Sequence, residues 1–152
     1  MYVYRICRSV YANDLSGLGA KMYGGRWNRP GLAVLYTSFA RSLAILELLV
    51  HFESKEALKL PYSIMKIQVP DDKIVWLDPS LLPKDTIKMN DTRLWNITQA
   101  HFLTQNTLAL VVPSMVVPQE YNVLLNPQHA QYHECQVEHV ENFQLDGRLY
   151  LS

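Results

Sequence analysis

The sequence predicts an α+β protein of one domain, and three observations carry that expectation. Most apolar residues fall in short runs bounded by Gly, Pro and Asp, the pattern of strands. One stretch, ARSLAILELLVHF at 40–52, is too long and too rich in Leu and Ala for a strand and reads as a helix. The resulting order is strands, helix, strands, helix, strands, without the regular alternation of a parallel βαβ sheet. At 152 residues the chain suits one domain, large enough to hide about two-thirds of the surface its unfolded form exposes.

Taken in order, Met1 to Cys7 is rich in Tyr, Val and Ile and reads as a strand. Residues 13–32 hold five of the six glycines and read as a polar loop, closed by the Pro30-Gly31 turn. Ala33 to Thr37 is a short apolar strand, and Ala40 to Phe52 the first helix. Tyr62 to Val69 and Lys73 to Leu77 are strands separated by a Pro-Asp-Asp turn. Leu81 to Asp91 reads as a loop with short helical turns, and Thr92 to Gln105 as a second helix with Asp91 as its N-cap. Leu108 to Val112 is a strand stopped by Pro113; Asn122 to Leu125 and the alternating segment Gln136 to Leu145 are two more, and a last short strand follows Gly147. No repeat and no linker divides the chain.

Composition narrows the function classes. Fourteen basic residues balance fourteen acidic ones, which argues against a nucleic-acid binder working through bulk charge. No N-terminal secretory pattern and no run of roughly 18 apolar residues appear, so no membrane association is expected. Cys7 and Cys135 lie far apart and read as reduced thiols of a cytoplasmic protein. The five histidines form no zinc spacing, and no metal is expected.

The candidate chemistry begins at YGGRWNRPGLAVLYTS, residues 23–38. Gly24 and Gly25 admit close approach of a ligand to the backbone. Arg26 has the planar fork that grips phosphate oxygens, although Gly-Gly-Arg alone lacks the spacing of a P-loop and equally suits a surface arginine stacked on Trp27. Tyr36 is either a core aromatic or a ring stacked on a planar ligand. Glu47 lies in a helix that is apolar nearly all round and therefore expected to be mostly buried. It sits either on a narrow solvent stripe with His51 and Ser54, or at the floor of a cleft, where a carboxylate needs a partner. Ser114 follows Pro113 at a strand end, a common turn position, and no GxSxG surrounds it.

Together and in this order, these residues resemble the RES domain family, named for its arginine, glutamate and serine. The resemblance runs through YRI (4–6), LSGLGA (15–20), GGRWN (24–28), LYTS (35–38), the glutamate of LAILELLVH, VPS (112–114) and NVLLNP (122–127). It implies an ADP-ribosyltransferase-like fold, with two small, mainly antiparallel sheets flanked by helices around an NAD cleft. It also implies a toxin of a toxin–antitoxin pair that degrades NAD by hydrolysis or phosphorolysis of the nicotinamide–ribose bond, or that modifies a macromolecule. By this resemblance the catalytic set is Arg26, Tyr36, Glu47 and Ser114, and the substrate-binding set is Arg5, Gly24, Gly25, Trp27, Asn28 and Asn122. NAD is then a substrate rather than a cofactor, and inorganic phosphate a candidate co-substrate. The implied partner is an Xre-type helix-turn-helix antitoxin that blocks the cleft, and a homodimer is a further expectation. A non-catalytic module that binds NAD or a partner remains the reading from another class.

Overall fold

The computed structural model describes residues 1–52, 56–85 and 90–150. Seven strands are present among them: β1 (Tyr2–Arg8), β2 (Leu35–Ser38), β3 (Tyr62–Gln68), β4 (Ile74–Trp76), β5 (Ala109–Pro113), β6 (Tyr121–Leu125) and β7 (Gln136–Phe143). They form one sheet in the order β4-β5-β6-β2-β1-β3-β7. Only the β4–β5 pair is parallel.

The expectation of two sheets therefore gives way to one hydrogen-bonded series. Its two halves meet at a thin seam. β1 pairs with β3 along its whole length, but with β2 only at Tyr4↔Ser38. Strands held at a single pair are free to diverge, and they do so around the cleft described below. The sheet also curls. One core cluster joins Val3, Met65 and Ile67 to Leu35, Ala109, Val111, Val123 and Leu125, all but fully buried, without any α-helical residue. The strands must bury that face against one another, which removes a large apolar area from water. The opposite face of β5 and β6 (Leu110, Val112, Leu124), with Val34 just before β2, packs with Trp27, Leu94 and Phe102 in a second cluster.

Among the described residues three α-helices accompany the sheet: α1 (Leu18–Tyr23), α2 (Arg41–Leu49) and α3 (Thr92–Gln99). The short α1 replaces part of the loop expected over 13–32. Its six residues contain Gly19 and are flanked by Gly17 and Gly24, so composition alone hides it. The α3 helix starts as expected, with the Asp91 carboxylate accepting from the Arg93 N–H at 3.0 Å. It continues through a wider π-type turn at Ala100–Thr104. The strand expected after Gly147 is a 3₁₀ turn, Gly147–Tyr150, tied by Asp146 side-chain bonds to Arg148. Part of the loop expected over 81–91 falls outside the described residues.

The α2 helix packs across β1 and β2, over the seam. It is less buried than its composition suggests. Only Leu43 and Ala44 are buried, while Leu46 and Val50 face outward. One apolar stripe suffices to anchor a helix. Among the described residues no helix is long and apolar enough to cross a membrane. Cys7 and Cys135 are free thiols, the latter buried.

Candidate functional site

A cavity of about 350 Å³ opens where β1 and β2 diverge beneath α2. Tyr4, Arg5 and Ile6 come from β1, and Tyr36, Thr37 and Ser38 from β2. Glu47, Leu48 and His51 come from α2 and its end, and Gly24, Gly25, Arg26 and Trp27 from the loop after α1. The size falls at the low end of small-molecule sites. Glu47 and Arg26, twenty-one positions apart in sequence, thus line one cavity.

Three strand ends converge on Glu47. Ser38 closes β2 and is paired with Asn122 on β6; Val112 on β5 faces the same Asn122, which places Ser114 two residues beyond. The Ser114 hydroxyl donates to Glu47 Oε1 at 2.7 Å, and the Asn122 amide donates to the same oxygen at 2.5 Å. Ser114 Oγ in turn accepts from the backbone N–H groups of Val116 and Val117, both at 3.0 Å. With its lone pairs engaged, that hydroxyl has only its proton to offer, and it offers it to the carboxylate. Both bonds fall on Oε1; among the described residues Oε2 accepts none. Glu47 is half-buried and faces the cavity, so the solvent-stripe reading does not describe it; Ser54, expected on that stripe, lies outside the described residues.

The other wall is organised by Tyr36. Its hydroxyl donates to Asn28 Oδ1 at 2.7 Å and accepts from the Trp27 N–H at 3.0 Å. Burial drives the Tyr36 phenol well above its ordinary pKa; the backbone N–H groups of Trp27 and Asn28 and the Arg26 charge pull it down, and the Glu47 charge pushes it up. The phenol therefore stays protonated, within electrostatic reach of both Arg26 and Glu47. Asn28 is wholly buried, and its amide nitrogen donates to the carbonyls of Ala20 (2.8 Å) and Leu32 (2.9 Å). It braces the loop from behind the cavity wall. Gly25 sits so close to this network that a Cβ there would lie 2.6 Å from the Tyr36 hydroxyl. Gly24 has φ 72° and ψ −177°, a conformation open essentially to glycine alone.

The residues singled out in the sequence are thus divided. Arg5, Gly24, Gly25, Arg26, Trp27, Tyr36, Glu47 and Asn122 line the cavity. Trp27 is almost wholly buried and belongs to the second core cluster, so it is not a surface platform for Arg26. Ser114 and Asn28 stand one layer back, holding Glu47 and Tyr36. Arg5 donates to the Asp14 carbonyl at 2.5 Å, which fixes it at the cleft side of β1. Sequence reasoning left three residues off the site: Ser38, which bonds Asn122, Trp95, and His51, which it named only beside Glu47 on a solvent stripe. His51 lines the cavity one turn beyond Glu47. Trp95, on α3, donates its indole N–H to the Gly25 carbonyl at 2.9 Å and tethers the glycine loop. Helical spacing gave a signal for His51; nothing local gave one for Trp95. Among the described residues no group of three His, Cys, Asp or Glu side chains is placed to hold a metal ion.

Fold and site together define an α+β protein with a cleft cut at a sheet seam, its carboxylate and guanidinium lining one cavity. The RES domain family model matches residues 2–146, and the chain belongs to that family. It is 38% identical over 153 aligned positions to "Toxin Res" of Photorhabdus laumondii subsp. laumondii, covering 98% of this chain and 97% of that protein. It is 36% identical over 146 positions to "Prs ADP-ribosylating toxin" of Sphingobium sp., covering 93% and 90%. Among solved structures, the M. tuberculosis MbcT–MbcA toxin–antitoxin complex contains a chain of similar fold, with a TM-score of 0.76 and 20% identity over 94% of this chain and 84% of that one.

Proposed function

We propose that this chain is the toxin of a toxin–antitoxin pair and that it breaks the nicotinamide–ribose bond of NAD. The observation that carries the proposal is the shared cavity of Glu47 and Arg26, with one carboxylate oxygen saturated by fixed donors and the other open. The toxin names of its relatives support the biological half of the reading, and the ADP-ribosylating relative supports NAD as the substrate.

The chemistry asks for little beyond placed charge. The C1′–N bond breaks with its electron pair passing to the ring nitrogen, so nicotinamide leaves neutral and the ribose becomes an oxocarbenium cation, as in glycoside cleavage. A preorganised carboxylate stabilises that cation without reorganising during the step. Ser114 and Asn122 hold Glu47 for this purpose. Arg26 and Arg5 supply cations for the pyrophosphate, with Gly24 and Gly25 letting it approach the backbone. The Tyr36 ring offers a face to the nicotinamide. Water then adds to C1′ and loses a proton to give ADP-ribose, or phosphate adds to give the 1″-phosphate.

The test is product analysis with NAD, with and without phosphate. The proposal expects free nicotinamide together with ADP-ribose or its 1″-phosphate. Folded protein, freed of any antitoxin, that leaves NAD intact under both conditions would overturn it. The second reading, transfer of ADP-ribose to a macromolecule, is favoured by the name of the Sphingobium relative. Labelled NAD would then mark a macromolecule in a cell lysate. The partner that fits this proposal is an antitoxin covering the cleft, of the helix-turn-helix kind.

A further inference from the structure

We infer that Ser38 is a positioning residue of the cleft, acting on Glu47 through the side-chain amide of Asn122; the inference rests on Glu47 being the working carboxylate. Ser38 is buried at the end of β2, and its hydroxyl donates to Asn122 Oδ1 at 2.6 Å. The other end of that amide, Nδ2, donates to Glu47 Oε1. The two bonds run head to tail through one planar group: hydroxyl to carbonyl oxygen, amide nitrogen to carboxylate. Bonds in such a chain polarise one another, so the Ser38 donor strengthens the Asn122 donor.

The geometry gives Ser38 two further tasks. Asn122 is largely buried, and its carbonyl oxygen takes its bond from Ser38; without that bond a buried acceptor goes unsatisfied. Ser38 also fixes the plane of the amide, because an amide bonded at both ends cannot rotate without breaking one bond. Asn122 presented in the opposite sense would set its own oxygen against the Glu47 carboxylate, two acceptors face to face. The end of β2 thereby sets the orientation of a carboxylate carried by α2. Ser114 performs the matching task from just past the end of β5, anchored by the Val116 and Val117 N–H groups. Glu47 is held from two sides on one oxygen, and Oε2 is left for the ligand.

The test is a double-mutant cycle on NAD turnover, joined to NMR of the Asn122 side-chain amide. Ser38→Ala is expected to lower kcat about tenfold, the scale of one hydrogen bond, with KM changed less than about twofold. Asn122→Ala is expected to lower it at least as far, and the double variant no further than Asn122→Ala alone, because Ser38 acts only through Asn122. Ser38→Thr keeps the hydroxyl and restores kcat; Ser38→Cys, a weaker donor of similar shape, falls between. Losses that multiply in the double variant would show that Ser38 touches the ligand itself and would overturn the inference. The amide signal needs no turnover. In Ser38→Ala the Asn122 amide resonances should shift and exchange faster with solvent. An unchanged signal would sink the role of Ser38, whereas a shifted signal in a protein that leaves NAD intact would sink only the reading of the reaction.

Discussion

Gly25 offers the sharpest test of how the cleft wall is built. A methyl group at this position would lie 2.6 Å from the Tyr36 hydroxyl oxygen, 3.1 Å from Tyr36 Cζ and 3.0 Å from Asn28 Oδ1. All three belong to the network that joins Tyr36 to Asn28 and to the Trp27 N–H, so none is the free end of a mobile side chain. Gly25→Ala must push the phenol away. Overpacking of this kind costs about 1–3 kcal/mol, and the smaller entropy of the unfolded alanine chain returns about 0.4–1 kcal/mol. A net loss of about 1–2 kcal/mol is expected from urea denaturation. Tyr36→Phe alone leaves Asn28 Oδ1 without that donor and costs about 1–3 kcal/mol. In Gly25→Ala/Tyr36→Phe the clashing oxygen is gone, so the double variant should be more stable than the sum of the singles by about 1 kcal/mol, well beyond the ~0.5 kcal/mol scatter of independent sites. Additive losses would refute the claim that Gly25 is glycine because of the phenol.

Three further outcomes follow from the same geometry. Gly24→Ala forces an L-residue into a conformation of φ 72° and ψ −177°, with its Cβ 2.9 Å from the Pro30 ring, and should cost about 1–3 kcal/mol and loosen the loop that bears Arg26; a melting temperature equal to wild type would contradict this. Asp91→Ala removes the cap of α3 and its bonds to Arg93, at about 1–2 kcal/mol, and because α3 carries Trp95 it should also weaken the tether to Gly25, seen as faster amide exchange over 24–27. His101 is buried, its Nδ1 finds no partner among the described residues, and burial holds its pKa below the usual 6.5. The unfolded chain therefore takes up a proton first as pH falls, and stability drops below about pH 6.5. His101→Gln should reduce the drop in urea midpoint between pH 7.5 and 5.5, and an undiminished drop would assign it to other groups.

Much of the site was legible because its residues cluster in sequence. Gly24, Gly25 and Arg26 are adjacent, Tyr36 follows within one turn and strand, and Glu47 stands out as a lone acid in an apolar helix. What was not legible depends on register. Ser114 and Asn122 read as a turn residue and the start of a strand. Only the pairing of β5 and β6 with β2 brings them to one carboxylate oxygen. Asn28 has the composition of a ligand-facing residue, but the fold turns it inward onto carbonyls contributed by α1 and the following loop. The strands themselves followed from β-branched and apolar runs, whereas the number of sheets did not. Whether two half-sheets join is decided by one residue pair, Tyr4 and Ser38, which no local pattern encodes. Helix α2 misled on burial because composition reports what a face could bury and not whether anything covers it.

Glu47 and Arg26 line one cavity beside the seam of β1 and β2, and the proposed reaction places NAD in it. A crystal structure of Glu47→Gln soaked with NAD tests it most directly, since the slowed variant should retain intact ligand. The account predicts the nicotinamide riboside between residue 47 and Tyr36, with the pyrophosphate at Arg26. NAD bound elsewhere on the molecule, or a well-folded variant with an empty cleft at saturating NAD, would contradict it.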